Sequence, residues 1–222
     1  LSFVFLDTFN KIIENNCVCA FLLNERYDVD IPETITIEEK TFTVNYVFIR
    51  CMQWNVTLPK SIETVMIDRE LSNNQGFHRE HPFGNSENSS FYVVDDNPLF
   101  CSVRGSLYSK DCRVLYHFHF ENKWDKSVLD ENLEEIAPEA IYCPNGFYYL
   151  HIPQCVNKLM AKAIVGKFRE IIFKGKLTNI EGELEWDSDP KDDFVIKING
   201  LLRDLSVESR AKLNHWRKKK YS

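Results

Sequence analysis

Apolar residues along the chain recur at fixed offsets from a set of hydrophobic anchors. Leu58, followed by Pro59, has Ile62 four residues on and Val65 seven residues on. Leu129 has Leu133 and Ile136 at the same offsets, Ile152-Pro153 has Val156 and Leu159, and Phe173 has Leu177 and Ile180. Ile31-Pro32 begins the same way with Ile35 and then breaks into an insertion. Val29, Val56, Leu150 and Ile171 stand two residues before their anchors, and Ala140, Ala163 and Leu184 stand eleven after. An apolar-x-apolar triplet is a short strand whose alternate side chains point inward. Proline just after it ends the strand, because proline has no N–H to donate to a ladder. The later apolar positions then return to the core through a turn and an irregular or one-turn helical arc. Leu129, Ile152 and Phe173 follow one another at nearly equal spacing. A unit this short cannot bury its apolar edge alone, whereas stacked units bury a continuous core and align their strands as a parallel sheet. The handedness expected of such a stack is right-handed.

The middle of the chain interrupts the array, since no anchor falls between Leu58 and Leu129. Residues 72–90 are rich in Asn, Ser, Gly, His and Glu and read as an exposed loop. Phe91-Tyr92-Val93-Val94 reads as a strand and Asp95-Asp96-Asn97-Pro98 as a turn. Ser106-Leu107-Tyr108, the turn Ser109-Lys110-Asp111-Cys112 and the run Arg113–Phe118 carry a hairpin signal. At the N-terminus, residues 3–23 suggest strands flanking Glu14-Asn15-Asn16. At the other end, the strand Phe194–Ile198 and the turn Asn199-Gly200 precede Leu205, Leu213 and Trp216, which recur on one helical face with Ser206 as N-cap. The expected layout is a single repeat domain: an N-terminal cap over 1–28, first repeats over 29–70, an inserted loop and hairpin over 71–127, repeats over 128–200, and a C-terminal capping helix with a basic tail over 201–222.

Several of these segments carry a family resemblance. The run Val94–Asp111 resembles the inserted hairpin of BspA-like leucine-rich-repeat proteins. Ile31-Pro32-Glu33-Thr34-Ile35 through Lys40–Val44 resembles that family's first repeat with its inserted β-turn. Pro138–Cys143 and Ile152-Pro153 through Ala163-Ile164 are similar to its repeat bodies. The resemblance spans roughly residues 29–200, within the ~20–29-residue period of leucine-rich repeats. It implies a leucine-rich-repeat solenoid interrupted by an inserted β-hairpin, and a binding role without a catalytic centre. Members are typically bacterial surface or secreted proteins, some of them adhesive. The chain departs from the pattern at Ala161-Lys162-Ala163-Ile164, where Tyr/Ala-Phe is common, and its repeats are few.

Composition narrows the function classes. Of 222 residues, 44% are hydrophobic and 27% charged, enough for a sizeable core. A net charge of −6 argues against general nucleic-acid binding, which needs a basic face. The basic cluster Arg217–Lys220 is read as a solvated tail. No stretch approaches the ~18–20 apolar residues of a membrane span. Leu1–Leu6 ends at Asp7 without a basic n-region or a small-residue cleavage site, so it does not read as an intact signal peptide, and a leader upstream stays open. The seven cysteines include no C-x-x-C pair, which disfavours zinc ribbons and thioredoxin-like sites. Most read as small buried hydrophobes; a disulfide stays open for an exported chain, and the odd number would leave one thiol free.

Constellations for chemistry are sparse, and neither a metal nor another cofactor is expected. His78-Arg79-Glu80-His81 is not H-E-x-x-H and sits beside Pro82 in a polar loop. His117-Phe118-His119 could present two imidazoles on one strand face, without an evident third ligand. Asp95-Asp96-Asn97 is first a turn signal and lacks calcium-loop spacing. Asn55-Val56-Thr57 and Asn88-Ser89-Ser90 fit the glycosylation sequon. No nucleophile elbow or phosphate loop is present, so an enzyme is not expected. The candidate binding positions are the outward ones of the repeat strands: Thr57, Tyr149, His151, Ile172 and Lys174, with Tyr149 as the best anchor. The loop 72–90 is a second candidate surface. The expected role is recognition of a protein or glycan at the cell surface or outside the cell, with an intracellular interaction or inhibitor protein as the alternative and a metal-dependent enzyme as the less favoured third.

Overall fold

The structure is a computed structural model that describes residues 2–4, 17–22, 28–49, 55–67, 89–120, 126–175, 179–181, 185–187 and 195–198. The chain forms two compact units, Leu1–Lys110 and Asp111–Ser222. Both are built as β-solenoid stacks. Among the described residues there is no helix, and therefore none long and apolar enough to cross a membrane.

In the first unit the strands are β1 (Ser2–Val4), β2 (Cys17–Leu22), β3 (Val29–Asp30), β4 (Thr34–Ile37), β5 (Lys40–Ile49), β6 (Asn55–Leu58), β7 (Thr64–Ile67), β8 (Ser90–Val93), β9 (Phe100–Val103) and β10 (Ser106–Ser109). Each turn of the stack gives one strand to each of two parallel arrays. β2, β5 and β7 form one; β3, β6 and β8 form the other. Val56 stands in register with Val29 and Phe91, and Leu58 with Val93. Pro59 follows β6 at its end, as the missing donor requires. The inward residues Val44, Val47, Val56, Leu58, Ile62 and Phe91 are buried in one core. β4 is an insertion that pairs antiparallel with β5 across Glu38-Glu39, both at positive φ (48° and 67°), as a tight hairpin turn demands. β1 pairs antiparallel with β2, so strands do stand on either side of Glu14-Asn15-Asn16.

The strand at Phe91 is a third rung of the repeat that the anchor pattern did not pick out. Four residues after Val93, where an apolar side chain is due, stands Asn97, fully buried. Its Nδ2 donates to the carbonyls of Pro59 (3.0 Å) and Ile62 (3.1 Å), and its Oδ1 accepts from the amides of Leu99 and Phe100, both at 2.9 Å. One side chain thus ties the turn after β8 to the turn after β6. Beyond it, β9 and β10 form an antiparallel hairpin through Arg104 (φ 50°) and Gly105 (φ 75°). It covers the outer side of β8: Phe91 N donates to Gly105 O at 2.8 Å and Val93 N to Ser102 Oγ at 3.0 Å. An exposed strand edge is an invitation to pair with another chain, and the hairpin removes it.

The second unit holds β11 (Val114–His117), β12 (Lys126–Val128), β13 (Glu135–Ile136), β14 (Ile141–Ile152), β15 (Lys158–Leu159), β16 (Ile164–Phe173), β17 (Asn179–Ile180), β18 (Glu185–Asp187) and β19 (Val195–Ile198). β11, β13, β15 and β17 stack in parallel, setting Leu115, Ile136, Leu159 and Ile180 in one buried column. β12, β14 and β16 form the second array; β18 pairs with the first half of β16 and β19 with the second. Leu133, Val156, Ala140 and Ala163, the residues four and eleven after their anchors, are all buried.

The helical arcs expected between the repeat strands are corrected. The offsets of four, seven and eleven also describe one face of a helix, so spacing alone could not decide between helix and solenoid turn. The arcs are turns and two-residue strands. Glu139 (φ 53°) and Lys162 (φ 54°), each ten residues after its anchor, take left-handed backbone that no continuous helix would hold. The period from Leu129 to Ile152 is slightly longer than that from Ile152 to Phe173, and the difference is absorbed at one corner. Between the paired positions Cys143/Gly166 and Tyr149/Glu170, β14 carries two more residues than β16, and pairing resumes in register. The N-terminal residues 5–16, Leu177, Leu184, the loop residues 72–88 with His78 and His81, and the C-terminal capping helix with Leu205, Leu213 and Trp216 lie outside the described residues.

Candidate functional site

Strand alternation sorts the candidate residues into two places. In the second unit, Leu150, Ile152, Ile171 and Phe173 are buried, so Tyr149, His151 and Ile172 face outward between them, each half-buried. Register adds Glu170, which pairs with Tyr149 as Ile172 pairs with His151. Lys174 follows β16, exposed, with its amide donating to Ile152 O at 3.0 Å in continuation of the ladder. Four of the five candidates therefore share one face. Backbone pairing places Lys126 beside Tyr149, Val128 beside His151, Val195 beside Glu170 and Lys197 beside Ile172.

The centre of this face is a histidine–carboxylate pair. His151 Nε2 lies 3.5 Å from Glu170 Oε1, and the two side chains are 16% and 20% exposed. That separation is within reach of an ion pair, yet Nε2 makes no hydrogen bond and is shielded from solvent. A buried imidazole nitrogen without a hydrogen bond carries a desolvation cost that the fold bears at this position.

Thr57, the fifth candidate, lies in the first unit. Its register neighbours are Asp30 and Tyr92. Tyr92 is 51% exposed, an outward aromatic that the anchor pattern missed because Asn97 hid its rung. Glu170 follows Arg169 and so lacks the two apolar neighbours that mark an outward strand position in the sequence. Asn55, in the row beside Thr57, is committed to the fold. Its Nδ2 donates to Asp28 Oδ1 at 2.6 Å, and its Oδ1 accepts from the Ser90 hydroxyl. Its sequon partner, Asn88, lies outside the described residues.

The other arrangements behave as follows. His117 is buried within β11, while His119 follows the strand and is half-buried. Asn97 is engaged by five backbone partners, which takes it out of any calcium loop with Asp95 and Asp96. Among the described residues, no three His, Cys, Asp or Glu side chains are grouped to hold a metal ion. Cys101, Cys112, Cys143 and Cys155 are thiols, outside any disulfide. Of these four only Cys143 is fully buried, and Cys155 is exposed, so the expectation of small buried hydrophobes fits one of them.

A second outward face, over β13, β15 and β17, is laced with charge. Lys158 Nζ lies 3.1 Å from Glu135 Oε2 and 3.4 Å from Glu181 Oε1, bridging three rungs. The hydrogen bond that Lys158 donates to the Glu135 carboxylate chiefly raises the Lys158 pKa above its ordinary value. Burial, helped by the charges of Asp111 and Glu135, raises that of Tyr116.

No protein-family model matches the chain, and no curated protein matches it. Among solved structures, a leucine-rich repeat protein from Eubacterium ventriosum is similar over 73% of this chain and 42% of its own length, at 14% identity and a TM-score of 0.45. The chain thus spans less than half the length of that protein. The pneumococcal vaccine antigen PcpA is similar over 86% of this chain and 82% of its own, at 13% identity and a TM-score of 0.31.

Proposed function

We propose that the protein is a non-catalytic binding module that recognises a protein or glycan partner through the outward face of β14 and β16, at the cell surface or outside the cell. The observation that carries this reading is the division of labour on these strands. Their inward residues complete the core, while Tyr149, His151, Glu170 and Ile172 form a contiguous, part-exposed patch that the core does not require. An aromatic ring beside a histidine, a carboxylate and an aliphatic side chain combines apolar area with directional polar groups, the mixture enriched in binding hot spots. The location follows the family resemblance of the sequence.

The test is affinity capture from the native host's surroundings with the wild-type chain and with a Tyr149→Ala/His151→Ala variant. A partner lost in the variant supports both the role and the face. A partner retained by the variant removes this face from the reading.

One observation favours a second reading, an interaction or inhibitor protein inside the cell: Cys101, Cys112, Cys143 and Cys155 are all thiols, as a reducing compartment would keep them. Protease shaving of intact host cells separates the two. Loss of the protein from the cells supports the surface location, and full protection supports the interior.

A further inference from the structure

We infer that the outward face of β3, β6 and β8, in the first unit, docks a basic polypeptide segment in polyproline-II conformation, with arginine or lysine at every third residue. This site is separate from the face of β14 and β16 and stands or falls without it.

Register lays the outward side chains of these strands in rows across the sheet. Asp28, Asn55 and Ser90 form one row, and hydrogen bonds join it: Asn55 Nδ2 donates to Asp28 Oδ1 at 2.6 Å, and the Ser90 hydroxyl donates to Asn55 Oδ1. The next row is Asp30, Thr57 and Tyr92. Among the described residues no side-chain hydrogen bond or ion pair engages these three. Asp30 is exposed, and Tyr92 is the exposed aromatic of the row. A third row, Pro32, Pro59 and Val94, lies one step past Ile31, Leu58 and Val93 and is apolar. The fold uses the first row to tie its rungs together and leaves the second to solvent.

Charge and ring both select a cation. The outward positions carry two carboxylates, Asp28 and Asp30, about 6.6–6.8 Å apart along one strand, and no cationic side chain. At the rim, Lys60 pairs with Glu33 at 3.3 Å, and Asp95 and Asp96 are exposed. Lys110 Nζ donates to Asp95 O at 2.6 Å, and Arg104 stands in the hairpin turn beside β8. Face and rim together hold five carboxylates and three cations, an excess of negative charge that attracts a basic partner and repels an acidic one. The Tyr92 ring selects the same charge independently, because the face of an aromatic ring attracts a guanidinium or ammonium within about 6 Å. Carboxylate and ring stand at opposite ends of one row, with the Thr57 hydroxyl between them.

Spacing selects the conformation of the segment. Asp30 and Tyr92 are two inter-strand spacings apart, about 9.4–9.8 Å. A polyproline-II helix returns every third side chain to the same side after about 9.3 Å. A segment lying across the three strands therefore sets one cationic side chain against Asp30 and the next over Tyr92. An extended strand, whose same-side residues recur at about 6.6–6.8 Å, does not match the row. Pro32, Pro59 and Val94 give apolar surface along one flank for the prolines between the cations, as aromatic- and proline-lined grooves do for such helices.

The experiment titrates the full chain calorimetrically with a peptide of repeated Arg-Pro-Pro triplets, at about 0.02 and 0.2 M salt. A peptide of repeated Arg-Gly pairs with the same charge, one of repeated Glu-Pro-Pro triplets, and the neutral oligosaccharide cellohexaose run in parallel. The Arg-Pro-Pro peptide should bind more tightly than the Arg-Gly peptide and weaken with salt, and the Glu-Pro-Pro peptide should not bind. Asp30→Asn and Tyr92→Ala should each weaken binding about two- to fivefold, and the two together by about tenfold. Tyr92→Phe keeps the ring and should bind as wild type does. Glu131→Gln, at an exposed carboxylate of the second unit, should also leave the affinity unchanged. Thermal unfolding of each variant establishes that it is folded. Undiminished binding by the Asp30→Asn/Tyr92→Ala variant overturns the surface, and an equal loss with Glu131→Gln does the same. Equal affinity for the Arg-Gly peptide overturns the polyproline-II geometry. Binding of cellohexaose that the same two substitutions abolish overturns the polypeptide assignment, and no binding of the Arg-Pro-Pro peptide overturns the basic partner.

Discussion

Single residues set the close tolerances of the stack. Gly166 sits at φ +127°, and a Cβ there would stand 2.1 Å from the Cys143 carbonyl oxygen of the preceding rung. Both the backbone conformation and the space exclude a side chain. Gly166→Ala should therefore lower stability by about 2–4 kcal/mol in urea unfolding; a loss within measurement error would refute the close approach. The opposite sign is expected at Glu139, which holds left-handed backbone (φ 53°) without glycine's freedom. Glu139→Gly should raise stability by up to about 1 kcal/mol, and a decrease would show that its side chain has a task unseen in the structure. Asn97 illustrates the limit of hydrophobic patterning. A polar residue at an inward position reads as a break in the repeat, and only its backbone partners show that it replaces an apolar contact with hydrogen bonds. Tyr92 went unnoticed for the same reason. His151 was legible as an outward residue, whereas its carboxylate partner depends on the register between strands that are distant in sequence.

At the scale of elements, the anchors located the repeat strands whose apolar spacing is regular: β3, β6, β12, β14 and β16 each end at or next to an anchor residue. What lies between strands was harder to read, because a turn that returns to the core every few residues shares its offsets with a helix. Pairing decides it. Backbone N–H groups of Ala137, Met160 and Glu181 donate to the preceding rung at 3.0, 3.0 and 2.8 Å, an inter-strand ladder that a helix would have spent internally. The buried column over these strands should be cooperative. Leu159→Ala, at its centre, should cost about 2–4 kcal/mol, measured by the denaturation midpoint, and a change below about 1 kcal/mol would argue that the column packs loosely. The hairpin over β8 is held at one point by a side chain: Ser102→Ala leaves Val93 N without its acceptor and should cost about 1 kcal/mol.

For the molecule as a whole, the charged rungs predict a direction of pH dependence. Lys158 keeps its proton above its ordinary 10.5 because Glu135 and Glu181 hold the ammonium form, so its contribution is complete below that value and is lost as pH rises through the folded one. Tyr116 is raised above 10.0, chiefly by burial, so ionisation favours the unfolded chain once pH passes 10.0. Both shifts have the same sign. The unfolding temperature should fall from about pH 9 to 11 more steeply than in a Tyr116→Phe/Lys158→Met variant; parallel curves would remove both groups from the account. Stacking of many small rungs also explains why the fold class was readable from one sequence while the partner was not. Repetition writes the core many times over, but a binding face is written once, in the outward residues that repetition leaves unconstrained.

The irregular pairing between Cys143 and Tyr149 has a bearing on how such a chain changes over time. Over that span β14 carries two more residues than β16 does between Gly166 and Glu170, yet Tyr149 regains its place opposite Glu170 and the strands beyond remain aligned. Length is thus separable from register at this point: codons can be gained or lost without rewriting either the core or the outward face. A foreign loop grafted between Pro144 and Phe147 would exploit the same freedom, displaying a new epitope beside an undisturbed patch.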